Sequence, residues 1–136
     1  MGAWGPGIFE NDDAMDWAVD FQREPSEQSL RDAFEAAVEV DDYLERDLGS
    51  YALAAAEVLA AAKGQPCRDI PPALRDWATA NGGVAAPELL AQALAAIERV
   101  TIVDSSEVAE LWTTSAKPKD AAGWTRQIAE LKRRLS

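Results

Sequence analysis

The chain has 136 residues, 48% of them hydrophobic, with five tryptophans and a formal net charge of −11 at pH 7. That much apolar material suits one folded domain with a real core and excludes a disordered chain. With no histidine and one cysteine, the sequence lacks the commonest general base, the commonest transition-metal ligand and any internal disulfide framework.

The charge is uneven. Residues 1–62 carry fifteen Asp or Glu against three Lys or Arg, whereas residues 63–136 carry nine against ten. An acidic half repels nucleic acid and anionic membranes and suits a basic protein partner. No apolar run reaches the ~18 residues of a membrane span, and the start has no basic n-region. Pro6 stands where a myristoylation signal wants Ser or Thr. A cytoplasmic protein without a cofactor is expected, with no nucleic acid and no membrane among its partners.

Gly2, Gly5, Pro6 and Gly7 are incompatible with a helix interior, so the chain opens with a turn-rich lead-in. Trp4, Ile8 and Phe9 are placed to fold back onto a core. Asn11 reads as an N-cap, with Asp12 and Asp13 where a helix dipole favours negative charge. A first helix over 12–23 then puts Ala14, Trp17, Ala18 and Phe21 on one stripe and Asp13, Asp16 and Asp20 on another. The lead-in is not a phosphate loop: no Lys follows, no strand precedes, and Asp12 and Asp13 repel phosphate.

Pro25 ends this helix and Ser26 caps a second, read over 27–47 with Leu30, Phe34, Ala37, Asp41, Leu44 and Leu48 along one stripe. Gly49 and Ser50 read as a break. An alanine-rich third helix follows over 51–63, with Gly64 closing it. Further helices are predicted over 72–80, 87–100, 107–115 and 121–135. In the fifth, Leu90, Ala93, Leu94 and Ile97 face inward; the last ends in Lys132, Arg133 and Arg134, which suits a helix C-terminus. The expectation is a single compact all-α domain of six or seven helices behind a glycine-rich lead-in.

The opening residues also resemble a known pattern. Gly2, Trp4, Gly5, Gly7, Phe9, Asn11, Asp12, Ala14, Asp16 and Trp17 form a G-x-W-G-x-G-x-F-x-N-D-x-A-x-D-W box. It is similar to the opening of a bacterial family catalogued as domain of unknown function 4259, and the alanine-rich stretch 52–61 around Glu57 matches as well. The resemblance implies no activity, substrate or catalytic residue.

Two carboxylates stand out. Asp41 lies on the apolar stripe of the second helix, and Glu57 is the only charge between Ser50 and Ala62. A buried carboxylate requires a partner. The reading is a structural clasp of Trp4, Asn11, Asp41 and Glu57, with Glu57 accepting hydrogen bonds from backbone amides or an indole between Gly2 and Phe9. Cys67, next to Arg68, lacks a histidine base and reads as an incidental loop cysteine. The functional expectation is a non-enzymatic acidic protein, of immunity or antitoxin type, that binds a basic protein through Asp13, Asp16, Asp20, Glu39 and Asp42. The alternative is a metal-binding protein or hydrolase built on Asp16, Asp41 and Glu57.

Overall fold

The computed structural model describes residues 5–136. Seven α-helices follow one another: α1 (Asp12–Arg23), α2 (Glu27–Val38), α3 (Arg46–Ala62), α4 (Pro72–Ala80), α5 (Pro87–Val100), α6 (Glu107–Glu110) and α7 (Pro118–Leu135). Helix α3 is the axis. From Gly49 to Ala61 every residue except Tyr51 is buried, the state expected of a helix that is apolar all round. Six buried alanines along it let neighbours approach from every side, and all six other helices pack against it. Together they form a single all-α domain.

Each end of this helix has a physical cause. Its first turn begins well before the predicted Tyr51, and Gly49 and Ser50 lie inside the helix rather than breaking it. A Cβ on Gly49 would fall 2.9 Å from Val108 Cγ2, so the glycine permits the close approach of α6. At the other end Gly64 has φ +94°, and its amide and that of Gln65 bond back to Ala61 O and Ala60 O.

Helix α2 is shorter than its periodicity suggests. It stops at Val38, and residues 39–45 form an extended connector. A helix continued to residue 47 would carry Asp41 into the core; leaving at Val38 keeps Asp41 exposed and still buries Leu44 completely. Leu44 gets there by pairing with the segment before α6: Leu44 N donates to Ser105 O at 2.8 Å and Glu107 N donates to Leu44 O at 2.9 Å. Arg99 of α5 gathers the same two segments. Its guanidinium donates to Val40 O (3.2 Å), Asp42 O (3.4 Å) and Ser105 O (3.1 Å).

Two other boundaries and the inward face of α5 differ from the sequence reading. The predicted sixth helix is only four residues of α-helix before Leu111–Ser115 widens into a π-helical turn. Thr113 and Thr114 bond their hydroxyls to Ala109 O and Glu110 O, which competes with the regular ladder. Helix α7 starts at Pro118, not Ala121, since proline at the first helical position loses no bond. On α5 the inward residues are Leu89, Ala93, Ala96, Ile97 and Val100, while Leu90 and Leu94 are half-buried.

Arg99→Ala removes three charge-assisted bonds to main-chain carbonyls, so a loss of about 2–3 kcal/mol in urea unfolding is expected. Arg99→Lys should recover only part of it, because an ammonium cannot span the three acceptors. An unchanged unfolding midpoint for Arg99→Ala would show that the connector is held by the Leu44 pairing alone.

Candidate functional site

The described part of the lead-in is a packed turn. Gly7, Ile8 and Phe9 are buried, Glu10 N donates to Gly7 O at 3.0 Å, and Gly7 N donates to Glu10 Oε1 at 2.9 Å. Asn11 then caps α1. Its Oδ1 accepts from Ala14 N at 2.8 Å while its side-chain amide donates to Ile8 O at 3.1 Å, locking lead-in and helix together. Phe21 sits between two indoles, stacked on Trp17 and edge-on to Trp77, with ring centroids 5.0 Å apart in each pair. Trp4 lies outside the described residues.

Beyond this cap the carboxylates of α1 meet the start of α3. Arg46 Nε donates to Asp13 Oδ2 at 2.7 Å, and Arg46 N donates to Glu107 Oε1 at 2.8 Å, which caps the N-terminus of α3. The bond to Asp13 raises the Arg46 pKa, with Glu107 and Asp47 adding to it. The Tyr51 phenol is raised by partial burial and then by Asp47, Asp13, Asp16 and Asp20. Partial desolvation likewise raises Tyr43, helped by Glu110 and Glu107. Both tyrosines of the chain thus report one acidic ridge that runs from Glu110 and Glu107 through Asp47 and Asp13 to Asp16 and Asp20. Arg46 sits in its middle, and Arg23 lies 3.8 Å from Asp20 at its far end.

A pocket of about 270 Å³ opens beside this ridge. Asn11, Asp12, Asp13, Arg46 and Ser50 supply its polar wall; Leu53, Trp112 and Trp124 supply much of the apolar one. The π-helical turn contributes Leu111 and Trp112. Such widened turns recur at functional sites.

The residues expected at a site separate into three places. Asp13, Asp16 and Asp20 are on the ridge, though Asp13 is half-buried and already paired with Arg46. Glu39 is exposed at the end of α2, beside a groove against α5, and Asp42 is exposed in the connector. Asp41 is also exposed in the connector and takes no part in a clasp among the described residues.

Glu57 is fully buried, as expected, but among the described residues its partner is Arg134 and not the lead-in. Arg134 of α7 donates to both its oxygens, Nη1 to Oε1 at 2.8 Å and Nη2 to Oε2 at 3.1 Å, and Nη1 also donates to Gln65 O at 3.0 Å. A fixed guanidinium fork satisfies a buried carboxylate better than scattered amides, because two parallel charged bonds form at once. Asp16, Asp41 and Glu57 therefore do not converge. Among the described residues no group of three or more His, Cys, Asp or Glu is placed to hold a metal ion.

The basic end of α7 has its own partners. Lys132 pairs with Glu98 at 2.6 Å and Arg133 with Glu130. None of its three cations lies on the ridge carboxylates. Sequence reasoning missed Arg46, Ser50, Trp112, Trp124 and Arg134 as site residues. For Arg46 a signal existed: it is the only Lys or Arg between Arg31 and Lys63.

Residues 2–127 match the family described as "Domain of unknown function (DUF4259)". The chain belongs to this family. The match takes in the whole ridge and pocket, and it ends before Arg134. No curated protein and no solved structure matches the chain. No helix of the described residues is long and apolar enough to cross a membrane.

Cys67 lies next to the buried pair. Burial pushes its thiol pKa well above the ordinary range, and Glu57 and Asp69 push it further. A raised pKa means the thiol stays protonated and unreactive at neutral pH. Alkylation of the folded protein at pH 8 should be at least about tenfold slower than of the urea-unfolded chain, whose thiol is near pKa 8.5. Equal rates would show an accessible, ordinary cysteine.

Proposed function

We propose that this chain is a non-enzymatic, acidic, cytoplasmic protein that binds a basic partner protein through the ridge of α1 and the start of α3, in the manner of an immunity or antitoxin protein. The observation that carries the proposal is the run of Asp13, Asp16, Asp20, Asp47, Glu107 and Glu110 about the two tyrosines, with Arg46 as its central cation. A field of one sign speeds the encounter with an oppositely charged surface and disfavours nucleic acid. The neighbouring aromatic groups Tyr43 and Tyr51 add the amphipathic contact that protein interfaces favour. Glu39, exposed at the end of α2, and Asp42, exposed beside Tyr43, would widen the field.

Pull-down from a lysate of the native cell tests this. Wild-type protein should capture a basic protein that elutes as salt rises, because exposed charges are screened beyond about 8–10 Å at moderate ionic strength. Asp16→Lys with Asp20→Lys should abolish that capture while leaving the melting temperature nearly unchanged, since both residues are exposed. A charge-reversed protein that captures the same partner would contradict the ridge as the binding surface.

A further inference from the structure

The pocket beside the ridge has a chemistry of its own. At about 270 Å³ it lies just below the ~300–1,000 Å³ of ordinary small-molecule sites, so it suits a single side chain better than a cofactor. Its walls combine two indoles, Trp112 and Trp124, with the Asp12 carboxylate. Arg46 on the same wall is already engaged by Asp13, whereas Asp12 has no ion pair among the described residues. Ser50 lines the pocket at 6% exposure.

An anion is poorly served there. The pocket lies at the starts of α1 and α3, but the amide at Ala14 is taken by Asn11, that at Arg46 by Glu107 and the Arg46 guanidinium by Asp13, and the Asp12 carboxylate on the wall repels negative charge. A cation meets the opposite: a carboxylate without an ion pair among the described residues, a hydroxyl acceptor and indoles that attract positive charge. Resting on the basic-partner reading, we infer that this pocket receives one lysine or arginine side chain of the partner protein. The alkyl stem lies against Leu53, Trp112 and Trp124, and the charged head reaches Asp12 and Ser50. The ridge supplies attraction at a distance, and the pocket supplies the anchor.

The indole N–H signals in ¹⁵N-labelled protein test this directly, with capped Gly-Arg-Gly and Gly-Lys-Gly peptides as probes and capped Gly-Glu-Gly and inorganic phosphate as controls. Expected are saturable shifts of the Trp112 and Trp124 signals with either cationic peptide, with Trp17 and Trp77 unmoved. Asp12→Asn should weaken binding by about tenfold. Ser50→Ala should weaken it less, and Asp16→Asn with Asp20→Asn should change this short-peptide affinity by less than about threefold, because those charges act at range. The proposal is overturned if neither cationic peptide moves the two signals, if phosphate or the glutamate peptide moves them equally, or if folded Asp12→Asn and Ser50→Ala proteins both bind as wild type. Salt-sensitive capture that persists with no peptide binding overturns the pocket and leaves the ridge reading standing. Peptide binding at the two indoles without any captured partner supports the pocket and overturns the ridge reading.

Discussion

A carboxylate at the centre of an alanine helix is the constraint on which the rest depends. Glu57 is fully buried midway along α3, with neighbours on every side. An ionised carboxylate taken out of water is tolerated only when paired and hydrogen-bonded. Arg134 supplies both oxygens with donors and uses the same Nη1 to hold Gln65 O, just beyond the end of α3. One guanidinium therefore fixes the register of α7 against α3 and anchors the loop that follows α3. Cys67 lies in that loop, where burial, and then the carboxylates of Glu57 and Asp69, hold its thiol protonated.

Charge elsewhere is kept at the surface by similar economy of placement. Helix α2 gives up its last predicted turns, which leaves Asp41 and Asp42 in water, and Arg99 holds the exposed connector through its carbonyls rather than its carboxylates. The three basic residues at the end of α7 are occupied by Glu98, Glu130 and Glu57. As a result the acidic ridge of α1 and α3 has little internal compensation beyond Arg46 and Arg23. The fold thus leaves an electrostatic surface together with a small aromatic pocket, and both draw in part on the first helix that opens the family match.

Much of the architecture was legible in local chemistry. Asn11, Pro25, Ser26, Pro72 and Pro87 marked helix ends that depend on one residue and its neighbours. The burial of Glu57 was legible because no other charge lies near it in the sequence. Its partner was not, because Arg134 is 77 residues away and reads equally well as a cation complementing the end of α7. The α2 boundary failed for a related reason: Leu44 keeps the helical spacing of the stripe but is buried through a bridge to Ser106, a long-range pairing that periodicity cannot report. Gly49 looked like a breaker because its reason, the approach of Val108, is tertiary. The pocket was illegible throughout, since its walls come from the lead-in, α1, α3, α6, the π-helical turn and α7.

A double-mutant cycle on the buried pair is the most direct measurement of this account. Glu57→Leu and Arg134→Leu should each cost about 3–5 kcal/mol in equilibrium unfolding, because each leaves an uncompensated buried charge. The double variant should be far less damaged than the sum of the two, since an apolar pair of similar volume can replace a buried ion pair at little cost. Additive losses, or a neutral Arg134→Leu, would show that Glu57 is satisfied some other way and that α7 is not held in register by this contact.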